Sequence, residues 1–477
     1  MASITMLRRA TPNEQRTISR EDLGFYHAVI IGAVYQFGNG LDIEPPRSFF
    51  APLNRCINEH PFLSVLVADR HTDKSFYHRA STINLEDHIT LLDRASSSED
   101  HWPAIEAVVQ SDIERPFSHT IPPWRIVILP LSPNSAFIAF SFSHGILDGP
   151  SGISFHRTFL KALQSNLSPP LSPVVTPPDV PLPPPFDTPR RLPISWSFLL
   201  RPLLAAILPS FLANLLNLSA SAATPDDGTW TAIPCASNPP DTNTRLVLRT
   251  IPAPLLSKAL ASCRANNAKL TGLFHQFIVR ALSKSLPTST INASGKETPI
   301  TNFLSQTAIN MRPAVGISAD EMGEFATGSF LSHQRVGSSV CNGPVTDEEW
   351  ECIRDCTRSL AESAARLDDQ PIGLLRYAPS IRGWLEKKIG TRREGSYEVS
   401  NVGVAGFDEE GGVGIVDVVF AQPGHVVGVP LCFNVVSIKG GGLVYTLTWP
   451  KGGLGVADED TFVEEICASI KKDFEGF

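Results

Sequence analysis

The sequence predicts a mixed α/β protein of two halves, each with its own sheet flanked by helices. Three observations lead there. Short β-type runs alternate with helical stretches on both sides of a break, and that break holds ten prolines between Pro169 and Pro189. Within the first half, the alternating run Ser135 to Ser143 empties into a glycine-rich turn that carries His144 and Asp148.

Taken in order, the first half shows β-type runs at Phe62 to Val67 after His60-Pro61, at Trp124 to Leu129 after Pro122-Pro123, and at Ser135 to Ser143, with a helical stretch over Trp102 to Ile113. The proline-rich stretch fixes φ and removes backbone donors, so it reads as an extended tether. In the second half, Thr271 is placed to cap a helix whose Leu273, Phe274, Phe277, Ile278, Ala281 and Leu282 recur at helical spacing, and Glu348 to Leu367 repeats the pattern. Strands are expected at Ile300 to Ile309, Val413 to Phe420, Phe433 to Ile438 and Leu443 to Trp449, all in the second half's sheet. The Lys439-Gly440-Gly441-Gly442 turn joins the last two as a hairpin, and Asp460 to Phe474 closes the chain as an acidic-to-basic helix. The expected organisation is a first lobe over 1–165, a tether with an apolar segment over 166–228, and a second lobe over 229–477.

With 477 residues, 42% apolar and 18% charged, the chain can bury a large core, which excludes extended disorder. A net charge of −8 has the wrong sign for neutralising phosphates, so nucleic acid is excluded as a partner. The eight cysteines are scattered without a CxxC pair and read as reduced thiols of an intracellular protein. No apolar core of a leader occurs in Met1 to Arg20, which places the chain in the cytosol. Pro202 to Pro225 runs 24 residues without a charge. Its length would cross a bilayer, but Pro202, Pro209, Asn214 and Asn217 make it a poor span. An amphipathic lid or a membrane-surface helix is the expectation, with a buried helix as the bland alternative.

The chemistry is expected at His144. A histidine at a strand's end on a glycine-rich turn is held by rigid backbone with its edge open to a cavity, as a general base requires. His144 and Asp148 stand in the i, i+4 relation of a metal pair on a helix, but Gly145, Gly149 and Pro150 oppose a helix there and no third ligand is near, so no metal is expected. His27, His88, His156 and His275 fit a satisfied structural role better. No GxSxG elbow occurs, so Ser151 reads as a turn or cap residue, and Cys352 and Cys356, one helical turn apart, read as core. The glycines of the second half lack the spacing of a nucleotide-phosphate loop.

His144 to Gly149 forms an HxxxDG motif, and on it the chain resembles the CoA-dependent acyltransferase superfamily of chloramphenicol acetyltransferase, the plant BAHD acyltransferases and the condensation domains. Within that superfamily it is most similar to the fungal alcohol acetyltransferase family. The likeness runs along nearly the whole chain, through His60-Pro61-Phe62-Leu63, Arg115-Pro116-Phe117, Pro123-Trp124-Arg125, Leu270-Thr271, Asn310-Met311-Arg312-Pro313 and Ser400-Asn401-Val402-Gly403.

The resemblance implies two chloramphenicol-acetyltransferase-like lobes with an active-site tunnel between them. It implies His144 as the general base, Asp148 as a structural residue orienting the motif with Gly149, and an arginine partner for Asp148, for which Arg312 is the candidate. The DFGWG motif of plant relatives is absent. Asn401 or Ser400 then takes the place of an oxyanion or donor-tunnel residue, unless both are turn formers at a strand end. The implied co-substrate is acetyl-CoA or another acyl-CoA, with no bound cofactor, and the acceptor is a small apolar alcohol or secondary metabolite. A monomer is expected, cytoplasmic and peripheral to an intracellular membrane. Two alternatives remain open: N-acylation or condensation with a carrier-bound donor, and a non-catalytic hydrophobic binding protein.

Overall fold

In Ser135–Ser143, Phe137, Ile138, Phe140 and Phe142 are interleaved with alanine and serine, and every residue is buried. Such a run packs on both faces and belongs in the middle of a sheet. The computed structural model describes residues 5–38, 43, 45–95, 100–165, 172–208, 224–235, 243–291, 297–337 and 340–477. In it the strand lies at the centre of a five-stranded sheet ordered Gly414–Ala421, Ala28–Gln36, Ser135–Ser143, Trp124–Ser132, Ile89–Leu91. Its two neighbours run antiparallel to it. Helix Gly149–Gln164 lies on this sheet, where Phe155 stacks on Phe140 with ring centroids 3.8 Å apart.

The second sheet has six strands, ordered Thr244–Ile251, Leu443–Pro450, Leu431–Ile438, Tyr397–Ala405, Asn302–Asn310, Ala326–Gln334. Leu431–Ile438 and Leu443–Pro450 form the expected antiparallel hairpin, whose turn uses Gly440 at φ +80°. Its core is closed by helices Leu270–Ser285 and Glu459–Glu475, where Phe274 and Phe277 both meet Phe474. Helix Asp347–Ala365 begins with a capping box between Thr346 and Glu349.

The structure departs from the expected elements at four places, and Cys352, read as core with Cys356, is exposed on its helix while Cys356 is buried. The run expected over Val413 to Phe420 in the second half's sheet is strand Gly414–Ala421, and it pairs antiparallel with Ala28–Gln36 at the edge of the first sheet. Alternation identifies a strand but not its partner, and here the chain crosses over to satisfy the backbone donors of the other half. Phe62 to Val67 is divided, because Pro61 sets a 3-10 turn over Pro61–Ser64 before extended backbone begins at Val65–Ala68. Thr271 is not a cap; it sits inside the first turn of its helix, after Lys269.

The proline-rich stretch is no free tether where it is described. Val174–Val175 pairs with Ile83–Asn84, Arg79 donates to the Pro178 and Val180 carbonyls, and Phe186 is fully buried against Phe325. Proline removes donors but leaves carbonyls, and Arg79 uses them. Helix Trp196–Ile207 follows, capped by Ser195, with Trp196, Leu200 and Leu204 exposed. The rest of the apolar segment, 209–223, lies outside the described residues. No helix among the described residues is long and apolar enough to cross a membrane.

The two sheets are joined by more than chain connections. Helix Trp102–Ile113 of the first half seals the edge strand Thr244–Ile251 of the second, with Glu106 accepting from Leu248 N–H at 2.6 Å and Gln110 donating to the Thr244 carbonyl at 2.9 Å.

The seating of helix Gly149–Gln164 is testable. A Cβ on Gly152 would lie 2.3 Å from Ile31 Cγ1 and 2.7 Å from its Cβ, which the central sheet holds in place. Overpacking of about 3 kcal/mol then outweighs the helix-propensity gain of about 1 kcal/mol. Gly152→Ala is expected to lose about 2 kcal/mol net, read as a lower midpoint of denaturant unfolding at unchanged slope.

Candidate active site

Strand Ser135–Ser143 delivers His144 directly onto a turn. The Ile146 and Leu147 N–H groups return to the Ser143 carbonyl, Tyr77 Oη donates to the Gly145 carbonyl at 2.5 Å, and helix Gly149–Gln164 begins at once. Glycine is required at both ends of this turn. A Cβ on Gly145 would lie 2.8 Å from Ile18 Cγ1, and one on Gly149 would lie 2.6 Å from Val402 Cγ1. Gly149 thus lets the motif approach strand Tyr397–Ala405 of the second half; its contribution is this close approach, not a reacting atom.

Asp148 caps the helix, its Oδ1 accepting from the Ser151 N–H at 3.1 Å and from the Ser151 hydroxyl at 2.7 Å. The cap is therefore Asp148, and Ser151 supports it. The same carboxylate takes a two-pronged pair from Arg312, Nη1 to Oδ2 at 2.7 Å and Nη2 to Oδ1 at 2.8 Å, with both side chains buried. Phe325 N–H adds a bond at 3.0 Å, while Arg312 Nε donates to the Glu321 carbonyl and its guanidinium lies 4.6 Å from the Phe325 ring centre. Burial pushes the Asp148 carboxyl up, but the charge and hydrogen bonds of Arg312, with those of Ser151 and Phe325, outweigh it and hold it below its ordinary value.

This pair brings the 312–325 loop against the motif, and the loop carries a residue that the sequence did not reveal. Glu324 Oε2 lies 2.6 Å from His144 Nδ1, the carboxylate being 1% exposed, although the two atoms are not aligned for a regular hydrogen bond. Its other oxygen accepts from Asn13 Nδ2 at 3.2 Å. No group among the described residues hydrogen-bonds His144 Nε2. The imidazole also lies beside Tyr26, ring centroids 5.7 Å apart.

Tyr26 opens a chain of buried polar groups: its hydroxyl donates to Gln422 at 2.9 Å, and Gln422 donates to Glu398 at 2.7 Å. Burial pushes the Glu398 carboxyl above its ordinary value, against the pull of Gln422, Arg20, Arg16 and His144. Burial, with the charges of Arg20, Arg393 and Arg16, keeps His425 well below the usual imidazole range. Helix Pro12–Asp22, with Asn13, Gln15, Ser19 and Arg20 buried, forms one wall. A buried helix face of polar residues has no apolar period to find, although the capping pair Thr11 and Glu14 was a signal for the helix itself.

Asn401 sits in strand Tyr397–Ala405 with its amide committed at both ends: Nδ2 donates to Thr271 Oγ1 at 3.1 Å and Oδ1 accepts from Gly403 N–H at 2.8 Å. Ser400 is buried beside it, opposite Asn434. A small surface cleft opens at Ser143, lined by Ile18, Glu21, Arg70 and His119 among others, and His144 does not line it. His156 and His275 are structural histidines, each with both ring nitrogens bonded within the protein. Among the described residues no group of three or more His, Cys, Asp and Glu could hold a metal ion.

The Asp148 and Arg312 pair makes a sharp expectation. Asp148→Asn keeps the shape and strands the Arg312 charge, so it is expected to cost about 3–5 kcal/mol at neutral pH by denaturant unfolding. Because the folded carboxyl is depressed, its stabilising contribution is complete above the unfolded value of about 3.9 and fades as pH falls through the lower folded value. The gap between wild type and variant should therefore narrow in that acid range.

The sequence model of the alcohol acetyltransferase family matches residues 96–474. The chain is 22% identical to the Aspergillus fumigatus protein named "Probable alcohol acetyltransferase crmB", over 97% of this chain and 98% of that one. Among solved structures it is similar to TRI3 trichothecene 15-O-acetyltransferase from Fusarium sporotrichioides, at TM-score 0.66 and 13% identity over 98% of this chain and 95% of that one. It is also similar to the starter condensation domain of rhizomide synthetase, determined with C8-CoA and Leu-SNAC, at TM-score 0.55 and 14% identity over 98% and 94%. The structural likenesses carry the two-lobed acyltransferase fold. With its family matched over most of its length, the chain belongs to the alcohol acetyltransferase family and is an acyltransferase.

Proposed function

We propose that the protein transfers an acyl group, acetyl foremost, from a CoA thioester to the hydroxyl of a small alcohol or secondary metabolite, with His144 as general base. The observation that carries this is the asymmetry of the imidazole: Nδ1 faces the buried Glu324 carboxylate, whereas Nε2 has no partner among the described residues. A carboxylate beside Nδ1 favours the tautomer that keeps its hydrogen there, leaving the Nε2 lone pair to accept a proton. Family membership supports acyl transfer, and the rhizomide synthetase domain, whose structure holds C8-CoA, supports a CoA thioester as donor.

In this mechanism Nε2 takes the hydroxyl proton as the acceptor oxygen attacks the thioester carbonyl. The tetrahedral intermediate collapses by breaking the carbon–sulfur bond, and the imidazolium returns the proton to the departing CoA thiolate. The ester leaves, and no acyl group is held on the protein. Asp148 and Arg312 act at one remove by fixing the turn, and Glu324 fixes the ring. The exposed Trp196, Leu200 and Leu204 would be the part that meets a membrane surface when the substrate is lipid-like.

The test is release of free thiol from acetyl-CoA and longer acyl-CoAs, offered a panel of alcohols and amines. His144→Ala is expected to lose about 10²- to 10⁴-fold in kcat/KM while staying folded. Glu324→Gln is expected to lower the rate and to alter its pH profile, whereas a purely structural role would leave that profile in place. Thiol release untouched by His144→Ala sinks the mechanism; an amide product in place of an ester moves the enzyme to N-acylation.

A further inference from the structure

Most buried arginines of this protein are neutralised where they stand. Arg312 is paired with Asp148, Arg280 with Glu349 and Asp473, and Arg125 with Asp112, while Arg393 donates to three backbone carbonyls. Arg20 departs from this pattern. It is 8% exposed, and its side chain makes no hydrogen bond or ion pair among the described residues. Its contact is the face of Tyr26, whose ring centre lies 4.2 Å from the guanidinium carbon.

That position is next to the proposed chemistry. Tyr26 is wedged between the rings of His144 at 5.7 Å and His425 at 5.9 Å, and the Gln422 and Glu398 chain fixes its hydroxyl. Arg16, one helical turn before Arg20, has among the described residues only the Asn13 side-chain oxygen as a hydrogen-bond partner, at 3.2 and 3.0 Å. The two carboxylates that act on Arg16 have other partners: Glu324 has Asn13 and His144, and Glu398 has Gln422 with His425 at 3.8 Å. Burial and the neighbouring charge of Arg20 lower Arg16, and burial raises Glu398 against the pull of both arginines, so the site holds its charges close together with the donors of Arg20 unused. A largely buried guanidinium with no hydrogen-bond partner has donors to give, and an anion arriving with a ligand would take them as charge-assisted bonds.

We infer that Arg20, with Arg16 behind it, receives a carboxylate carried by one of the two substrates. This rests on the acyl-transfer reading for which molecules bring it. The CoA phosphates cannot serve while the thioester is at His144, since the pantetheine arm holds them far from the reacting carbonyl and Arg20 is one aromatic ring away. Two carriers remain: an acceptor that is a hydroxy acid, or an acyl chain that ends in a second carboxylate.

The experiment has one arm for each. With acetyl-CoA as donor, ω-hydroxy acids are compared with their methyl esters as acceptors. With a neutral alcohol as acceptor, malonyl-CoA and succinyl-CoA are compared with acetyl-CoA and butyryl-CoA. The ratio of kcat/KM for the carboxylate over its neutral counterpart is expected to exceed one in a single arm. It should fall about 10- to 100-fold in Arg20→Gln, the worth of a charge-assisted bond. Arg20→Lys, kept as a variant that preserves the charge, should retain part of the preference, and Arg358→Gln, on an exposed pair with Asp355, should retain all of it.

Binding is read without turnover as the thermal midpoint of the His144→Ala protein with the same compounds, with and without Arg20→Gln. A midpoint rise that needs Arg20, with no thiol release from any thioester, upholds the anion site and sinks acyl transfer. Neutral substrates turned over without any carboxylate preference, and no midpoint rise that needs Arg20, overturn the inference and leave acyl transfer standing. Neither turnover nor an Arg20-dependent midpoint rise overturns both.

Discussion

The buried pair of Asp148 and Arg312 is the constraint on which the rest of the site depends. One carboxylate caps the motif helix, closes a two-pronged ion pair across the halves and accepts the Phe325 N–H of the opposing loop. Taking both charges out of water costs several kcal/mol per ion, recovered only when the remaining donors and acceptors are also satisfied. Here Ser151, Asn310 and the Glu321 and Gly323 carbonyls supply those partners. The pair is therefore worth more as a register than as net stability, because it allows one seating of the 312–325 loop against the motif.

In the proposed mechanism that seating makes a base out of a strand end. Strand Ser135–Ser143 supplies the direction of His144, but the 312–325 loop supplies Glu324 beside Nδ1. The crossover strand Gly414–Ala421 adds the next constraint: it hydrogen-bonds to Ala28–Gln36 in the first sheet, and the chain on either side of it builds the second. Gly149 lies against Val402 and Phe420 from those neighbouring strands, so the close approach of the halves is written into the motif glycine itself. Two halves so interleaved cannot shift without breaking sheet hydrogen bonds, which gives the base the rigid support that preorganised chemistry needs.

What the sequence made legible was what local rules control. The period of Ser135 to Ser143, the Lys439 to Gly442 turn, the helix over Trp102 to Ile113 and the HxxxDG turn are each decided within a dozen residues, and the structure has them there. Sheet membership of Gly414–Ala421 was not legible, because a strand's alternation says nothing of which edge it joins. Thr271 was misplaced for a related reason: its hydroxyl serves Asn401, far along the chain, and not its own helix end. Glu324, Arg16, Arg20 and Tyr26 were missed altogether, since nothing in spacing distinguishes a carboxylate 180 residues from its imidazole. The proline stretch misled by composition, which speaks for extended backbone but not for whether Phe186 finds a cavity to fill.

The charge content of the interior then bears on what this enzyme is built to accept. An apolar alcohol and an acetyl group would be served by apolar surroundings with one base, and surroundings of that kind would not carry the cost of burying Arg20, Glu398 and His425 around Tyr26. Here the cluster is not scattered: Tyr26, Gln422 and Glu398 form one hydrogen-bonded line, Glu324 and Asn13 another, and His144 lies where they meet. In a low-dielectric site such fixed dipoles and charges act strongly on any polar group that enters. On the proposed reading they orient a substrate by its charge before the hydroxyl reaches Nε2, so the groups that fix the ring of His144 and the groups that fix the substrate would share one network.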